Sequence, residues 1–138
     1  MSDAPSSVPT TGLAAIDGEH RLQARLIEAI ERALSEGRGG AEVETLLDQL
    51  VELTNVHFLT EQLLMRFHSY PLYEAHVAEH DTLISHIQKV RDSHRAGDAK
   101  LGLETLRAIR DWHHGHVGGM DRTLAEFVVS QPARPPAD

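Results

Sequence analysis

The sequence predicts an all-α protein folded as an up-down-up-down four-helix bundle. Apolar residues recur every three or four positions along four segments, as on one face of a helix, and almost no stretch alternates as a strand would. The breaks between these segments are short and contain glycine or proline, which favours antiparallel neighbours in space. The length of 138 residues suits a single domain with its own core.

The chain before the first helix predicts an extended N-terminal arm. Ser, Thr, Pro and Gly predominate over residues 1–16, and these residue types favour irregular backbone. The first helix is expected over residues 17–36, because the glycine-rich run 37–40 stops the periodic pattern. The expected apolar stripe of this helix consists of Leu22, Leu26, Ile30 and Leu34.

Three further helices complete the predicted bundle. The second is expected over residues 41–68 and ends before Pro71, because proline disfavours the α conformation in the residue that precedes it. The third is expected over residues 72–95 and the fourth over residues 99–117, with Gly97 between them.

The C-terminal end is predicted to be less regular. Residues 121–129 indicate a short helical segment, and the following nine residues contain three prolines. The expected domain organisation is therefore an arm at 1–16, a four-helix bundle at 17–129 and an irregular tail at 130–138.

Composition excludes several classes of function. Thirteen basic against twenty-one acidic residues give a formal charge of −8, which argues against nucleic acid or an anionic membrane as the partner. The chain has no cysteine, so disulfides, thiolate metal sites and cysteine nucleophiles are excluded. The N-terminus has neither the basic start nor the apolar stretch of a signal peptide, and a cytoplasmic protein is expected.

The ten histidines are the unusual feature of the composition. His57 and Glu61 are four residues apart on the second helix, and His76 and His80 are four apart on the third. This spacing puts two side chains on one helix face, one turn apart, where they can share a metal ion. Both pairs lie on the apolar face of their helix, so they are expected to point into the bundle.

His20 and His116 join these pairs by the same reasoning, since each lies with the apolar residues of its own helix. Asp121 follows His116 by five residues, about 140° around an ideal α-helix, so a straight helix does not aim both at one metal. Gly118 and Gly119 lie between them and allow the chain to unwind there. All four helices are thus expected to deliver ligands to one buried place.

These residues resemble the hemerythrin family, in particular its single-domain bacterial members. The resemblance covers about Ile16 to Glu126 and rests on the ordered set His, His-x3-Glu, His-x3-His and His-x4-Asp across four helices. The matching segments are IDGEH ending at His20, HFLTEQLLM from His57, YPLYEAHVAEHD from Tyr70 and WHHGHVGGMD from Trp112.

The resemblance implies a non-haem di-iron centre that binds dioxygen reversibly, for storage or for delivery to oxygen-requiring enzymes. One iron is expected to take the three histidines of the third and fourth helices, and the other to take His20 and His57. Glu61 and Asp121 are expected to bridge the two irons together with an oxo or hydroxo group, which leaves one open position for dioxygen. The implied metal ligands are His20, His57, Glu61, His76, His80, His116 and Asp121.

One position departs from the family pattern. His113 stands where the family usually has a leucine that lines the oxygen pocket, three residues before His116 and so on the same inward face. An imidazole at this place could hydrogen-bond to the bound ligand, deliver protons to it or occupy the open iron position. It could also turn away or bond to a carbonyl. His113 is therefore a candidate pocket residue.

Two alternatives to an oxygen-binding protein stay open. The first keeps the di-iron centre but makes the protein an enzyme acting on peroxide or nitric oxide, a sensor of such molecules or an iron store. The oxygen-binding protein itself is not expected to be an enzyme beyond a weak peroxidase-like side activity. The second uses the H-x-x-E-H pattern at residues 76–80, in which Glu79 would activate a zinc-bound water. This zinc-peptidase interpretation leaves the other ligand candidates unexplained. An oxygen-using enzyme or a reductase is the expected kind of protein partner.

Overall fold

The computed structural model describes residues 8–38 and 40–130. The elements, in chain order, are α1 (Ala14–Ser35), α2 (Gly40–Phe67), α3 (Tyr73–Arg95), α4 (Ala99–His116), one π-helical turn (Val117–Asp121) and α5 (Arg122–Ser130). Each long helix packs against two others, α1 and α3 both lying between α2 and α4. The predicted all-α class and four-helix bundle are confirmed. Among the described residues no helix is long and apolar enough to cross a lipid bilayer.

The first helix begins earlier than the sequence predicts. It starts at Ala14, so residues 14–16 belong to α1 rather than to the arm. The Asp17 carboxylate accepts hydrogen bonds from the backbone N–H groups of Thr11 and Gly12 and from the Thr11 hydroxyl, which holds the incoming chain against the first turn. Burial raises the pKa of Asp17, but these hydrogen bonds outweigh it and lower the pKa below its usual value.

The remaining boundaries differ from the predicted ones by one residue in most cases. Ser130, assigned by the sequence to the tail, ends α5. The rest of the predicted tail, residues 131–138, and the first part of the predicted arm, residues 1–7, lie outside the described residues.

The apolar core fills the half of the bundle beyond the histidines. It is built from Ile27, Ile30, Leu47, Leu50, Ile87, Val90, Leu106 and Ile109, together with their partly buried neighbours. The predicted stripe of α1 is confirmed at Ile30 and Leu34, which are buried in the core, and is wrong at Leu22, which is 48% exposed while Gln23 and Ile27 are buried. The inward face of α1 therefore carries polar residues, which an apolar periodicity does not detect.

Three loops end their preceding helix with the same hydrogen-bond pattern. After α1, α2 and α3 the chain takes one residue in the left-handed region, namely Gly37, Ser69 and Gly97. The next backbone N–H then bonds to the carbonyl five residues back, as Tyr70 does to Met65 at 2.8 Å. Ser69, with φ of 53°, is a side-chain-bearing residue in a conformation that glycine adopts without steric cost.

Ser69→Gly should therefore stabilise the protein. Relief of the left-handed strain, about 1 kcal/mol, exceeds the added chain entropy of glycine, so we expect a net gain of about 0.5 kcal/mol and a melting temperature higher by about 1–2 °C. Ser69→Ala keeps the strain and serves as the control, with no gain expected. A Ser69→Gly protein that melts at or below the temperature of the Ala variant would contradict this account of the loop.

Candidate metal centre

All seven predicted ligand residues meet in one buried place. α1 supplies His20, α2 supplies His57 and Glu61, and α3 supplies His76 and His80. His116 is the last residue of α4, and Asp121 is the last residue of the π-helical turn. Every one of them is 7% exposed or less.

The donor atoms form two overlapping groups. Within each group the potential ligand atoms lie within 4.8 Å of one another. Both groups contain Glu61 and Asp121, so the two carboxylates lie between a set of three histidines and a set of two. The first set is His76, His80 and His116, and the second is His20 and His57.

The imidazole Nε2 atoms converge on the carboxylate oxygens. Glu61 Oε1 lies 2.8 Å from His80 Nε2, 3.2 Å from His76 Nε2 and 3.4 Å from His57 Nε2. Asp121 Oδ1 lies 2.8 Å from His76 Nε2 and 3.0 Å from His116 Nε2. Its other oxygen, Oδ2, lies 2.8 Å from His20 Nε2. Each oxygen of Asp121 thus faces a different group of histidines.

Hydrogen bonding leaves part of this cluster unsatisfied. The Nε2 atoms of His80 and His116, one Glu61 oxygen and both Asp121 oxygens are buried without a well-aligned hydrogen bond among the described residues. His20 Nε2 and His57 Nε2 lie only 3.1 Å apart. Buried polar groups are normally paired, and two imidazole nitrogens 3.1 Å apart are close enough to share either one proton or one metal ion. Nitrogen and carboxylate donors together suit iron and other transition metals, so these residues fit a metal centre.

The charges of the cluster shift its pKa values strongly. Burial alone would raise the pKa of Glu61, but the close polar contacts of its carboxylate with His57, His76 and His80 outweigh burial and lower the pKa to about 2. The pKa of Asp121 lies well below its usual value despite burial, because the imidazoles of His116, His20 and His76 lie within 3.0 Å of its oxygens. Both carboxylates therefore stay ionised, as metal ligands must be.

Three of the ligand histidines, His57, His76 and His116, respond in the opposite direction. Burial lowers the pKa of His57, but hydrogen bonds to Glu19 and Glu61 outweigh it and raise the pKa to about 10. His76 behaves alike, since Asp121 and Glu61 raise its pKa to about 9 against the effect of burial. Without a metal, these imidazoles hold protons that supply the positive charge the two carboxylates need.

Two further carboxylates orient the ligand histidines from outside. Glu19 Oε1 accepts a hydrogen bond from His57 Nδ1 at 2.7 Å, and Glu79 Oε1 accepts one from His116 Nδ1 at 2.8 Å. Such bonds fix the imidazole tautomer so that Nε2 faces the metal, and they raise the basicity of the ligand. Neither role is predicted from the sequence, where Glu79 is a candidate only as the base of a zinc peptidase. The available signal was an acidic residue directly before a ligand histidine, as in Glu19-His20 and Glu79-His80.

The π-helical turn brings Asp121 to the centre. Its i to i+5 hydrogen bonds each enclose one more residue than those of an α-helix, so residues five apart lie on nearly the same side. Gly118 and Gly119 lie inside this turn. The predicted local unwinding is thus a π turn. Gly118 also packs on the incoming arm, because a Cβ there would lie 3.3 Å from Pro9 Cγ.

Aromatic rings enclose the histidines on several sides. Phe58 stacks on His80 with ring centroids 3.6 Å apart and nearly parallel planes, and Trp112 stacks on His116 at 4.7 Å. Tyr70 meets His76 edge to face at 6.5 Å. These contacts hold the imidazole planes in place and keep water from the ligand nitrogens.

His113 points into the bundle, as its spacing predicts, and is 4% exposed. Its Nε2 lies 3.0 Å from Gln23 Oε1, and its ring lies edge-on to that of His20, with centroids 5.8 Å apart. Burial, reinforced by the charge of His20, lowers the pKa of His113 to about 3, so this imidazole is neutral. The contact with Gln23 is not predicted from the sequence.

Comparison with known families places this chain among proteins with a related metal-binding domain. Residues 11–128 match the family model described as Hemerythrin HHE cation binding domain. The chain is 30% identical over 120 residues to the bacteriohemerythrin of Ralstonia nicotianae, covering 87% of this chain and 84% of the relative. It is 29% identical over 126 residues to the bacteriohemerythrin of Aquifex aeolicus, covering 88% and 94%. The protein of the same name from Methylococcus capsulatus is 27% identical over 112 residues, covering 81% and 85%.

Solved structures show the same fold. A wild-type hemerythrin crystal structure superposes with a TM-score of 0.75 at 24% identity, covering 93% of this chain and 97% of that chain. A mutant hemerythrin gives a TM-score of 0.76 at 24% identity, covering 93% and 96%. The bundle and its order of helices are therefore shared with these proteins.

Proposed function

This chain belongs to the hemerythrin family, and we propose that it binds dioxygen reversibly at a di-iron centre. The proposed ligands of one iron are His76, His80 and His116, and those of the other are His20 and His57. Glu61 and Asp121 are the proposed bridges, with an oxo or hydroxo group as the third. Reduced iron supplies the electrons that hold dioxygen when the centre is loaded. Oxygen storage or delivery is the proposed role.

The observation that supports this proposal best is the sharing of two carboxylates by two unequal sets of histidines. A centre for one metal does not need carboxylates shared between two sets of histidines. A centre for two metals bridged by Glu61 and Asp121 needs this arrangement. The smaller set has one histidine fewer, which gives its metal room for an external ligand. The ligand set and the count of irons are part of the proposal.

The chain's own residues favour binding over irreversible oxidation. Five neutral imidazoles place less negative charge on the metals than the carboxylate-rich ligand sets of related bundle enzymes. Glu19 and Glu79 hold two of the imidazoles in orientation from outside. Phe58, which is buried and stacks on His80, limits the entry of water, which otherwise carries reactive products away.

We expect the purified protein to contain about two irons per chain, antiferromagnetically coupled, because two bridging carboxylates and a third bridge link the metals. Iron analysis and magnetic susceptibility measure these properties. A content near one iron, or a magnetically isolated ion, contradicts the assignment.

An optical spectrum taken on mixing the reduced protein with oxygen, and again after oxygen removal, tests the function itself. An absorption band that forms and disappears reversibly supports oxygen binding. Irreversible oxidation with turnover of added peroxide or nitric oxide supports the alternative, a di-iron enzyme or sensor. The buried imidazole of His113 beside His20 is the feature that favours this alternative.

The cellular setting is proposed from the sequence. A cytoplasmic location and an oxygen-using enzyme or a reductase as protein partner stay predictions. The net charge of −8 argues against nucleic acid as a partner.

A further inference from the structure

A polar layer lies directly beside the candidate metal centre. Gln23, Thr54 and His113 come from α1, α2 and α4, and they are 1%, 0% and 4% exposed. Each lies three residues, about one helical turn, from a histidine of the centre on its own helix. Those histidines are His20, His57 and His116. One turn further along, the same helices contribute the apolar side chains Ile27, Leu50 and Ile109.

The layer is joined by a directional chain of hydrogen bonds. Gln23 Nε2 donates to Thr54 Oγ1 at 3.1 Å, which turns the amide oxygen of Gln23 toward His113. That oxygen lies 3.0 Å from His113 Nε2. Because an amide oxygen only accepts hydrogen bonds, His113 Nε2 carries the proton. A neutral imidazole has a single N–H, so Gln23 engages the one donor that His113 possesses.

His113 is close to the part of the centre that has fewer ligands. Its ring meets that of His20 edge-on at 5.8 Å between centroids, and His20 belongs to the set of two histidines. The proposed site for dioxygen is on the metal of this set. A donor on His113 that was not engaged by Gln23 would thus lie beside the bound ligand.

We propose that Gln23 is a positioning residue that withholds the N–H of His113 from the dioxygen pocket, with Thr54 fixing the orientation of its amide. The inference rests on the proposed function. In this proposal Gln23 and Thr54 allow dioxygen to bind reversibly although the buried His113 lies beside its site.

The reason lies in how bound dioxygen is lost. Dioxygen that gains two electrons from the two ferrous ions leaves as hydrogen peroxide once it also gains two protons, and both irons are then ferric. A nearby N–H assists this loss because it stabilises the reduced oxygen and passes a proton to it. Water then returns a proton to the imidazole, so a second proton can follow. An N–H bonded to Gln23 does neither.

The first test is the decay of the oxygenated absorption band. Gln23→Met keeps the size of the side chain but removes the amide, and we expect the band to decay about ten times faster than in the natural protein. His113→Leu should decay no faster than the natural protein. In the double variant Gln23→Met with His113→Leu, the fast decay should disappear, because the freed donor is absent. A Gln23→Met protein that decays at the natural rate, or a double variant as fast as Gln23→Met, overturns the proposal.

Thr54 provides a matched pair of variants that change fewer atoms than Gln23→Met does. Thr54→Val removes the hydroxyl that orients the amide, and we expect faster decay in the same direction as Gln23→Met. Thr54→Ser keeps the hydroxyl and should restore the natural rate. Equal rates in the two Thr54 variants contradict the proposed role of the amide orientation. This pair keeps the test decisive if Gln23→Met fails to fold.

The second test is independent of dioxygen. Full-length protein labelled with ¹⁵N-histidine and loaded with zinc in place of iron gives a diamagnetic sample, in which nitrogen chemical shifts report the tautomer of His113. We expect a protonated Nε2 in the natural protein and in Thr54→Ser, and loss of this preference in Gln23→Met. A His113 protonated at Nδ1 in the natural protein overturns the proposal whatever the oxygen experiments show. An Nε2–H tautomer without any reversible oxygen band leaves the hydrogen-bond layer intact and refutes the proposed function instead.

Discussion

Replacing Asp121 with alanine should lower the iron content of the purified protein from about two ions per chain to one or none. The two oxygens of this carboxylate face different sets of histidines, Oδ2 lying 2.8 Å from His20 Nε2 and Oδ1 2.8 Å from His76 Nε2. Its loss removes a ligand from both metals at once. Even residues that only orient a ligand change metal affinity by about 10–100-fold, so a bridging ligand should cost more.

Glu61→Ala should have a comparable effect, because Glu61 Oε1 lies within 3.4 Å of the Nε2 atoms of three histidines. Matched controls are Asp111→Ala on α4, whose side chain is 78% exposed, and Glu52→Ala on the outer face of α2. Both controls should retain full iron. The measurement is iron per chain together with the magnetic coupling. Full iron and unchanged coupling in Asp121→Ala and Glu61→Ala would show that neither carboxylate is a bridge.

The second large effect is the change of stability with pH. Its sign should differ between the metal-free and the iron-loaded protein. In the metal-free protein the pKa of His57 is about 10 and that of His76 about 9, against about 6.5 in an unfolded chain. Between pH 6.5 and 9 the folded state thus binds protons that the unfolded state has lost. Stability from these groups is fully present below pH 6.5 and is lost as the pH rises through 9 to 10.

The protons on His57 and His76 together contribute a decrease of at most about 3 kcal/mol per pH unit to the free energy of unfolding. The pKa of His116 is also raised, because Asp121 and Glu79 outweigh burial, and its proton adds to the decrease in the same direction. His80 and His113, whose pKa values are lowered by burial, are neutral in both states above pH 6.5 and leave this slope unchanged. The carboxylates of the centre affect the stability only at lower pH. Since the pKa of Glu61 is about 2, its contribution is present above its unfolded value and is lost as the pH falls toward 2.

Iron reverses the dependence because the histidines must give up their protons to bind it. The iron-loaded protein should release metal as the pH falls toward and below about 6.5, and it should melt at a higher temperature than the metal-free protein at pH 8. The difference between the two melting temperatures should therefore grow from pH 6.5 to pH 9. Thermal melts of both forms across this range measure it directly.

Two histidine variants make this test specific. His57→Gln should flatten the pH slope of the metal-free protein, because it removes the group with the highest pKa in the cluster. His114→Gln, at an exposed position of α4, should leave the slope unchanged. A metal-free protein whose melting temperature rises between pH 6.5 and 9 would contradict the charge arrangement described for the centre. Equal melting temperatures with and without iron would mean that the apolar core alone sets the stability.

Much of the fold and of the site follows from the sequence by itself, because it depends on spacing within one helix. Residues four apart share a face, so His57 with Glu61 and His76 with His80 form pairs in any helix that contains them. The apolar periodicity and the short loops specify the bundle, and the resemblance to hemerythrins supplies the seven ligand candidates that the structure brings together.

Local rules reach their limit where the backbone departs from an ideal helix. The distance of five residues between His116 and Asp121 indicates that the helix must unwind, and the two glycines show where. The form of the departure, a π turn whose Asp121 reaches both sets of histidines, depends on the helices that surround it. The start of α1 at Ala14 likewise depends on hydrogen bonds from Thr11 and Gly12 to Asp17.

Only the tertiary structure decides how each helix is rotated and which side chains meet across helices. Leu22 and Ile27 both belong to plausible apolar stripes of α1, but packing against α2 and α4 buries Ile27 and leaves Leu22 exposed. The same rotation brings Gln23 between Thr54 and His113, and it places Glu19 on His57. The physical reason is that periodicity constrains positions relative to one helix axis, whereas a contact between helices depends on the packing of all their side chains together.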